Sequence, residues 1–317
     1  MSKITILFVF VSIIFVSCQS KLDLVEEGPS VPIIYAIFDH NDTVHYVRIN
    51  KSFNGNIHSY DMAKHSDSIL YNQPLDIKAY VLNNSNNIVK TLTFSKENLK
   101  KDSVNTEGMV VFAVDKHYVY VSKDGKLPMG VDYVYKLELK IDDTLIAWAT
   151  TNALYGFSYY DPATNVSTQL LPSAGFISTG WYPHDYAGLV YSHITVYYYE
   201  YNKKENRYYV KSIKRESGNV AAKAGTAGFQ TSPIIEDIMN QIDATDTPDI
   251  ERRYICRMTI DYLVANIDYT MQMSYYGSLY LTEFDYASNQ PLTNIVGGFG
   301  LFGARMKGKN EDRKSVV

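Results

Sequence analysis

The chain has 317 residues, 46% of them hydrophobic and 20% charged, enough to bury one large or two ordinary domains and too much for a single small module. Thirty Lys+Arg against 34 Asp+Glu give a formal charge of −4, and no segment concentrates the basic residues into a phosphate-tracking surface, which excludes nucleic acid as an expected partner. The 28 Tyr outnumber the 13 Phe by more than two to one, and with 18 Gly and ten Pro they favour strands and turns over helical bundles.

Met1-Ser2-Lys3 is a short basic start, Ile4 to Phe15 is almost unbroken apolar, and Val16-Ser17-Cys18 closes the run with a small residue before cysteine. That is the layout of a lipoprotein signal peptide, because the signal peptidase cuts before a cysteine whose thiol is already diacylated. The run falls short of the roughly 20 apolar residues a spanning helix needs. Residues 1–17 are therefore expected to be removed and Cys18 to carry acyl chains, which together anchor far more firmly than a single one. An ordinary secretory cleavage nearby, or an uncleaved anchor, is the alternative. Residues 18–30 read as a tether, polar and acidic, with a Gly28-Pro29 break. Their acidic character resembles the export signals of Bacteroidota surface lipoproteins, although Leu22 and Leu24 interrupt the charges and a plain linker explains the segment as well.

Strands follow. Val31 to Phe38 and Thr43 to Asn50 flank the polar turn Asp39-His40-Asn41-Asp42 and predict a hairpin, with Thr43, His45, Val47 and Ile49 on one face and Val44, Tyr46 and Arg48 on the other. Further strands are expected at 75–82, 88–94, 109–114, 117–122, 133–141 and 144–151, the last two joined by Asp142-Asp143. Short strands spaced by Asn, Asp and Gly turns predict a mainly β chain that opens with an immunoglobulin-like β-sandwich over residues 31–151. A second β-rich domain with one or two short helices is expected over 152–306, followed by a charged tail at 307–317.

In that second half, Val190 to Tyr201 and Arg207 to Lys214 read as strands joined by Asn202-Lys203-Lys204-Glu205-Asn206. Ile194, Val196 and Tyr198 share one face; Thr195, Tyr197, Tyr199 and Tyr201 share the other. A helix is predicted after Thr231 or Ser232, with Pro233 in the first turn and Ile234, Ile235, Ile238, Met239 and Ile242 at helical spacing. Two long strands, Arg252 to Ala265 and Tyr269 to Phe284, precede the glycine-rich segment Gly297 to Gly303, which lacks the strand-then-helix setting of a dinucleotide site and reads as tight turns or close strand approach.

Catalytic chemistry is thin, and no cofactor is implied. Cys256 is the one cysteine besides Cys18, which rules out an internal disulfide in the processed chain, and it reads as a structural thiol. His58, Asp61 and His65 would share a helical face, but the polar segment around them reads as an exposed loop rather than a metal centre. No Gly-x-Ser-x-Gly, His-Glu-x-x-His or Walker lysine loop is present. The candidate binding residues are aromatic: Trp181 and Tyr182 at a Pro-containing turn before His184-Asp185, and Tyr197 and Tyr199 on the tyrosine-rich strand, where broad rings with few rotors suit a glycan or a protein partner. Filling of half-buried strand positions explains the tyrosines equally well. Thr43, Ser68, Ser103 and Thr144 each follow Asp and precede an aliphatic residue, a triplet that exported Bacteroidota proteins use for O-glycosylation and that turn-to-strand junctions also generate. Of these, the loop sites Ser68 and Ser103 are favoured over Thr144, which is expected to enter a strand beside Trp148.

Val31-Pro32-Ile33-Ile34-Tyr35-Ala36, then Asp42 to Phe53, and Asn294 to Ala304 together resemble a family of Bacteroidota outer-membrane lipoproteins of unknown function, often encoded beside TonB-dependent transporters. The resemblance implies a surface-exposed, lipid-anchored outer-membrane location and a non-enzymatic accessory or binding role, docking on a β-barrel such as a TonB-dependent transporter or assembly complex. It carries no catalytic residues over. The alternative is a cell-surface glycan-binding protein or glycan-acting hydrolase, whose paired carboxylates sequence spacing does not reveal.

Overall fold

The computed structural model describes residues 30–52, 61, 65–99, 117–128, 133–155, 159–161, 176–182, 185–224, 226–230, 249–271 and 293–313. The first hairpin is Pro32–Asp39 (β1) with His45–Lys51 (β2). Then come Asp76–Leu82 (β3), Ile88–Thr93 (β4), Ser95–Leu99 (β5), His117–Ser122 (β6), Val134–Ile141 (β7) and Thr144–Asn152 (β8), with one helical turn, Ser66–Ile69 (α1), before β3. The later strands are Tyr159–Asp161 (β9), Phe176–Trp181 (β10), Ala187–Asn202 (β11), Arg207–Ala221 (β12), Thr226–Gln230 (β13), Ile250–Asn266 (β14), Ile295–Val296 (β15) and Phe299–Arg313 (β16). They form an eight-stranded sheet in the order β12-β11-β14-β16-β1-β2-β6-β5, a five-stranded sheet β15-β8-β7-β3-β4 and a three-stranded sheet β13-β10-β9.

The chain is mainly β, as its patterning predicts, and it opens in a β-sandwich. Period-two alternation turns His45, Val47 and Ile49 of β2 inward and Tyr46 and Arg48 outward. Ile34, Ala36 and Phe38 of β1 join them against Ile77 and Ala79 of β3, Tyr135 and Leu137 of β7 and Ala147 of β8, so the large sheet and the five-stranded sheet enclose one core. Phe38 sits among rings, edge-on to Phe302 at 5.1 Å and to His45 at 5.3 Å, a geometry that places the positive ring edge on a negative ring face. The tight β7–β8 connection is explained by Asp142 and Asp143, whose φ of 48° and 62° are the pair a type I′ hairpin turn demands and aspartate tolerates.

A second core lies under the other half of the large sheet, where Val190, Ile194, Val196 and Tyr198 of β11 pack with Ile213, Ile260, Tyr262, Val264 and Trp181. Strand β16 serves both cores. Its first part runs parallel to β1, Ile33↔Phe299 to Asp39↔Arg305, and its later part runs antiparallel to β14, Ala265↔Arg305 to Met258↔Arg313.

This topology corrects two boundaries. Ile295, Phe302 and Ala304 belong to the first core, so the sandwich is completed by residues expected in a second domain over 152–306. Residues 307–313 are strand rather than a free charged tail: β14 offers a ladder, and pairing outweighs the poor strand propensity of Gly-Lys-Asn-Glu-Asp. Residues 267–271 form a helical turn, not the start of a strand at Tyr269. The predicted strand at 109–114, the helix after Ser232 and the continuation to Phe284 lie outside the described residues, as do Cys18, His58, Ser103 and His184.

A tyrosine and arginine face on the long strands

Strands β11 and β12 pair from Leu189↔Ala221 to Asn202↔Arg207. The turn between them is closed by the Asn202 side chain, whose Oδ1 accepts from the backbone N–H of Lys204 and of Glu205, both at 3.0 Å; Asn206 takes a φ of 54°, which Asn tolerates better than most residues. Strand β14 flanks β11 on its other side with breaks in register at Ala187/Leu189, Tyr197/Tyr198 and Tyr201/Asn202. Three neighbouring strands thus carry one inward face and one outward face.

The inward face is apolar from Ile194 to Tyr198 and then polar: Glu200 is buried and takes Arg253 Nε at 3.1 Å, an arrangement tolerated only because the charges are matched. On the outward face, β11 presents Tyr197, Tyr199 and Tyr201; their cross-strand partners are Ser212, Val210 and Tyr208 on β12 and Arg257, Tyr254 and Arg252 on β14. The Tyr199 and Tyr208 rings meet edge to face at 6.2 Å, and Tyr201 tilts on Tyr208 at 5.0 Å. The Arg257 guanidinium lies 4.3 Å from the Tyr197 ring centroid and that of Arg252 5.1 Å from Tyr201, both within cation–π range. Tyr201 also donates its hydroxyl to Asn206 Oδ1 at 2.8 Å. Toward the other end of the face, His193 Nε2 stands 2.9 Å from Asp261 Oδ2. There Tyr191 donates to Glu216; that hydrogen bond, with burial second, pushes its hydroxyl up to about 12.

The aromatic candidates separate. Trp181 is no binding lip: it is 0% exposed in the second core, and its Nε1 donates to the Ala222 carbonyl at 2.7 Å, the partner a buried indole requires. Tyr182, the next residue, is 60% exposed. Tyr197 and Tyr199 do share a face. Sequence reading missed that Tyr208, Arg252, Tyr254 and Arg257 join them; the signal was present as polar and aromatic residues alternating across the Asn202–Asn206 turn, but the pairing with β14 spans about fifty residues. Asp61 and His65 are exposed, and among the described residues no group of three His, Cys, Asp or Glu is placed to hold a metal. Thr43 lies exposed after the β1–β2 turn and Thr144 lies exposed beside the Asp142-Asp143 turn, whereas Ser68 is half-buried in α1, which reverses the expected preference for Ser68 over Thr144 on access alone.

A further polar cluster sits at the β1–β2 turn. Asp39 is buried, and its Oδ1 accepts from the Asn41 N–H at 3.1 Å. Asp42 takes Arg305 Nη2 at 3.5 Å and Lys307 Nζ at 3.9 Å. His45 bonds the Gly125 carbonyl through Nε2 at 3.1 Å, and burial holds its imidazole below its ordinary value.

Among solved structures, the chain is similar to the FN1–FN3 domains of chicken CNTN1, at 12% identity and a TM-score of 0.24 over 75% of this chain and 63% of that one. It is also similar to the calcium binding domain CBD12 of CALX1.1, at 11% identity and a TM-score of 0.17 over 87% of this chain and 98% of that one. Similarity at this level assigns neither a family nor a function. No family model matches the chain. No curated protein matches it.

Proposed function

We propose that the protein is a lipid-anchored, non-enzymatic accessory or binding subunit of the outer membrane that docks on a β-barrel such as a TonB-dependent transporter or an assembly complex. The observation that carries the reading is the outward face of β11, β12 and β14, where exposed tyrosines and arginines, the residue types enriched at protein interfaces and their hot spots, gather on one rigid sheet. The layout of residues 1–18 supports an acyl anchor on Cys18, and the resemblance to transporter-linked lipoproteins supports the kind of partner. The test is purification of the full chain from its native host through a C-terminal tag, beside a Cys18→Ala variant. The wild-type chain is expected in the membrane fraction with a barrel protein, and the variant is expected as unprocessed precursor or released from the membrane. Membrane retention of processed Cys18→Ala, or recovery of the wild-type chain with no barrel, overturns the proposal.

A further inference from the structure

We infer that the end of the sandwich where the tether enters is a membrane-seating rim. Leu145, Trp148, Val296 and Phe299 settle into the interfacial layer of the leaflet that holds the acyl chains, and so fix how the body stands on it. The inference goes beyond docking on a barrel and rests on the acyl anchor at Cys18.

Local geometry gathers the rim. The turn from β15 to β16 crosses from the five-stranded sheet to the large one in close contact with two other strands: a Cβ on Gly297 would meet the Ile146 carbonyl, and one on Gly298 the Pro32 carbonyl. Ile295 and Phe302 turn into the core, so the alternate positions Val296 and Phe299 turn outward, one from each sheet. Val296 pairs with Trp148, and Phe299 pairs with Ile33 beside Pro32. All four rim side chains are exposed, Val296 the most at 50%.

The tether names the occupant. Entry into the fold is fixed at Val31, whose N–H donates to Ser52 Oγ and whose carbonyl accepts from the Ser52 N–H, each at 2.8 Å. The stretch from Cys18 to Val31 reaches at most about 45 Å when fully extended, so the end of the body that carries Pro32 is held nearest the lipid. Linkage over so short a span keeps the rim at a local concentration in the millimolar range, and weak apolar contacts then suffice to seat it. Residue chemistry agrees. An indole favours the boundary between hydrocarbon and water because its ring is apolar and its N–H polar, whereas Leu and Val are under-represented among the hot spots of protein interfaces. Asp142 and Asp143, exposed at the hairpin tip beside Leu145, oppose an anionic surface and favour zwitterionic headgroups.

The chain carries its own probe. Of its two tryptophans, Trp181 is 0% exposed in the second core, so a response to lipid reports Trp148. The acylated full chain, purified from its native host in detergent, is returned to phosphatidylcholine vesicles with and without bromine on the acyl chains, and its flotation with the vesicles is measured alongside its fluorescence. The expected result is a blue shift on vesicle binding, loss of emission with brominated lipid, and protection from aqueous iodide. Combining Val296→Ser with Phe299→Ser leaves the acyl chains and Trp148 in place; this variant should still float but lose the blue shift, the quenching by brominated lipid and the protection. Far-ultraviolet circular dichroism checks that its sheets survive. Emission untouched by brominated lipid in a chain that floats means that the rim faces water or, if iodide also fails to quench, a second copy of this chain; either overturns the inference and leaves the anchor standing. Quenching unchanged in the double variant overturns it too. A chain that does not float refutes the anchor itself, and with it the function proposed above.

Discussion

Asp39 and Arg305 face each other across the parallel pairing of β1 and β16, with Arg305 Nε 3.9 Å from Asp39 Oδ2. Neither of those two buried atoms has a hydrogen-bond partner among the described residues, so their coupling is a Coulomb attraction in a low-dielectric pocket rather than a bond. Removing the cation leaves a carboxylate that is 1% exposed without its counter-charge. Arg305→Met is expected to cost about 2 kcal/mol in urea unfolding of the purified chain, below the ~3–5 kcal/mol of a fully buried pair because solvent reaches Arg305. Unchanged stability would mean that the register of β1 and β16 is held by backbone and apolar contacts alone.

Asn266 ties the two cores together. Its Nδ2 donates to Thr151 Oγ1 at 2.6 Å and to the Asn152 carbonyl at 3.1 Å, while its Oδ1 accepts from the N–H of Tyr269 and of Ala304, each at 3.1 Å. Thr151 in turn donates to Asp268 Oδ2 at 2.7 Å. Asn266→Ala would leave several buried groups unpaired at about 1 kcal/mol or more apiece, so a loss of about 3 kcal/mol is expected by denaturant titration. Loss of both cores in a single transition would show that the network couples them; two separated transitions would refute that coupling.

Gly300 has a φ of +113° and pairs with Ile34, and a Cβ built on it would collide with the Ile34 carbonyl oxygen. Only glycine combines that dihedral with so close an approach. Gly300→Ala is expected to destabilise by about 3 kcal/mol or more or to prevent folding, whereas Gly125→Ala meets nothing nearby and carries only the cost of its own positive φ. Comparing soluble yield and midpoint of the two variants tests the difference.

His45 sets a pH dependence. Burial lowers its imidazole, and the hydrogen bond to the Gly125 carbonyl and the charge of Asp42 oppose that pull more weakly. A histidine depressed in the folded state binds its proton more readily when unfolded, so it costs nothing above its ordinary value near 6.5 and subtracts stability as pH falls from there toward the lower folded value. The melting temperature should therefore drop on acidification through that window, and His45→Gln should flatten the slope. An identical slope in the variant would place the acid sensitivity elsewhere.

Local order was legible where it is written in neighbours. The alternation of β2 separated His45, Val47 and Ile49 from Tyr46 and Arg48, Asp142-Asp143 marked a tight hairpin, and Gly297 to Gly303 read as tight turns or close strand approach rather than a dinucleotide site; each depends on a few adjacent residues. What escaped was pairing at a distance. Nothing local distinguishes a strand that ends a second domain from one that completes the first, so β16 was divided between a domain and a tail. Trp181 failed for a related reason: a proline turn after an aromatic pair suggests exposure, but burial is decided by the carbonyl of Ala222, forty-one residues away. Tyr197 and Tyr199 were found because their face repeats with period two, and Arg257 and Tyr254 were not because a bulge between Tyr197 and Tyr198 offsets their strand.

The placement of β16 also imposes an order of events on synthesis and folding. The ladder on the outer side of β1 is supplied by residues 299–305, so the amino-terminal hairpin, made first, waits with an open edge while some 250 further residues emerge. Long-range parallel pairing of this kind is slow to form because loop-closure entropy is lost before the contacts are gained. Until β16 arrives, Ile34 and Phe38 have no Phe302 to close over them, and the unfinished chain is a target for chaperones and proteases. Truncation from the carboxyl end removes the pairing of β16 with β14 first and, once it passes residue 305, should harm the amino-terminal sandwich too, a departure from the usual rule that early domains fold independently of late ones.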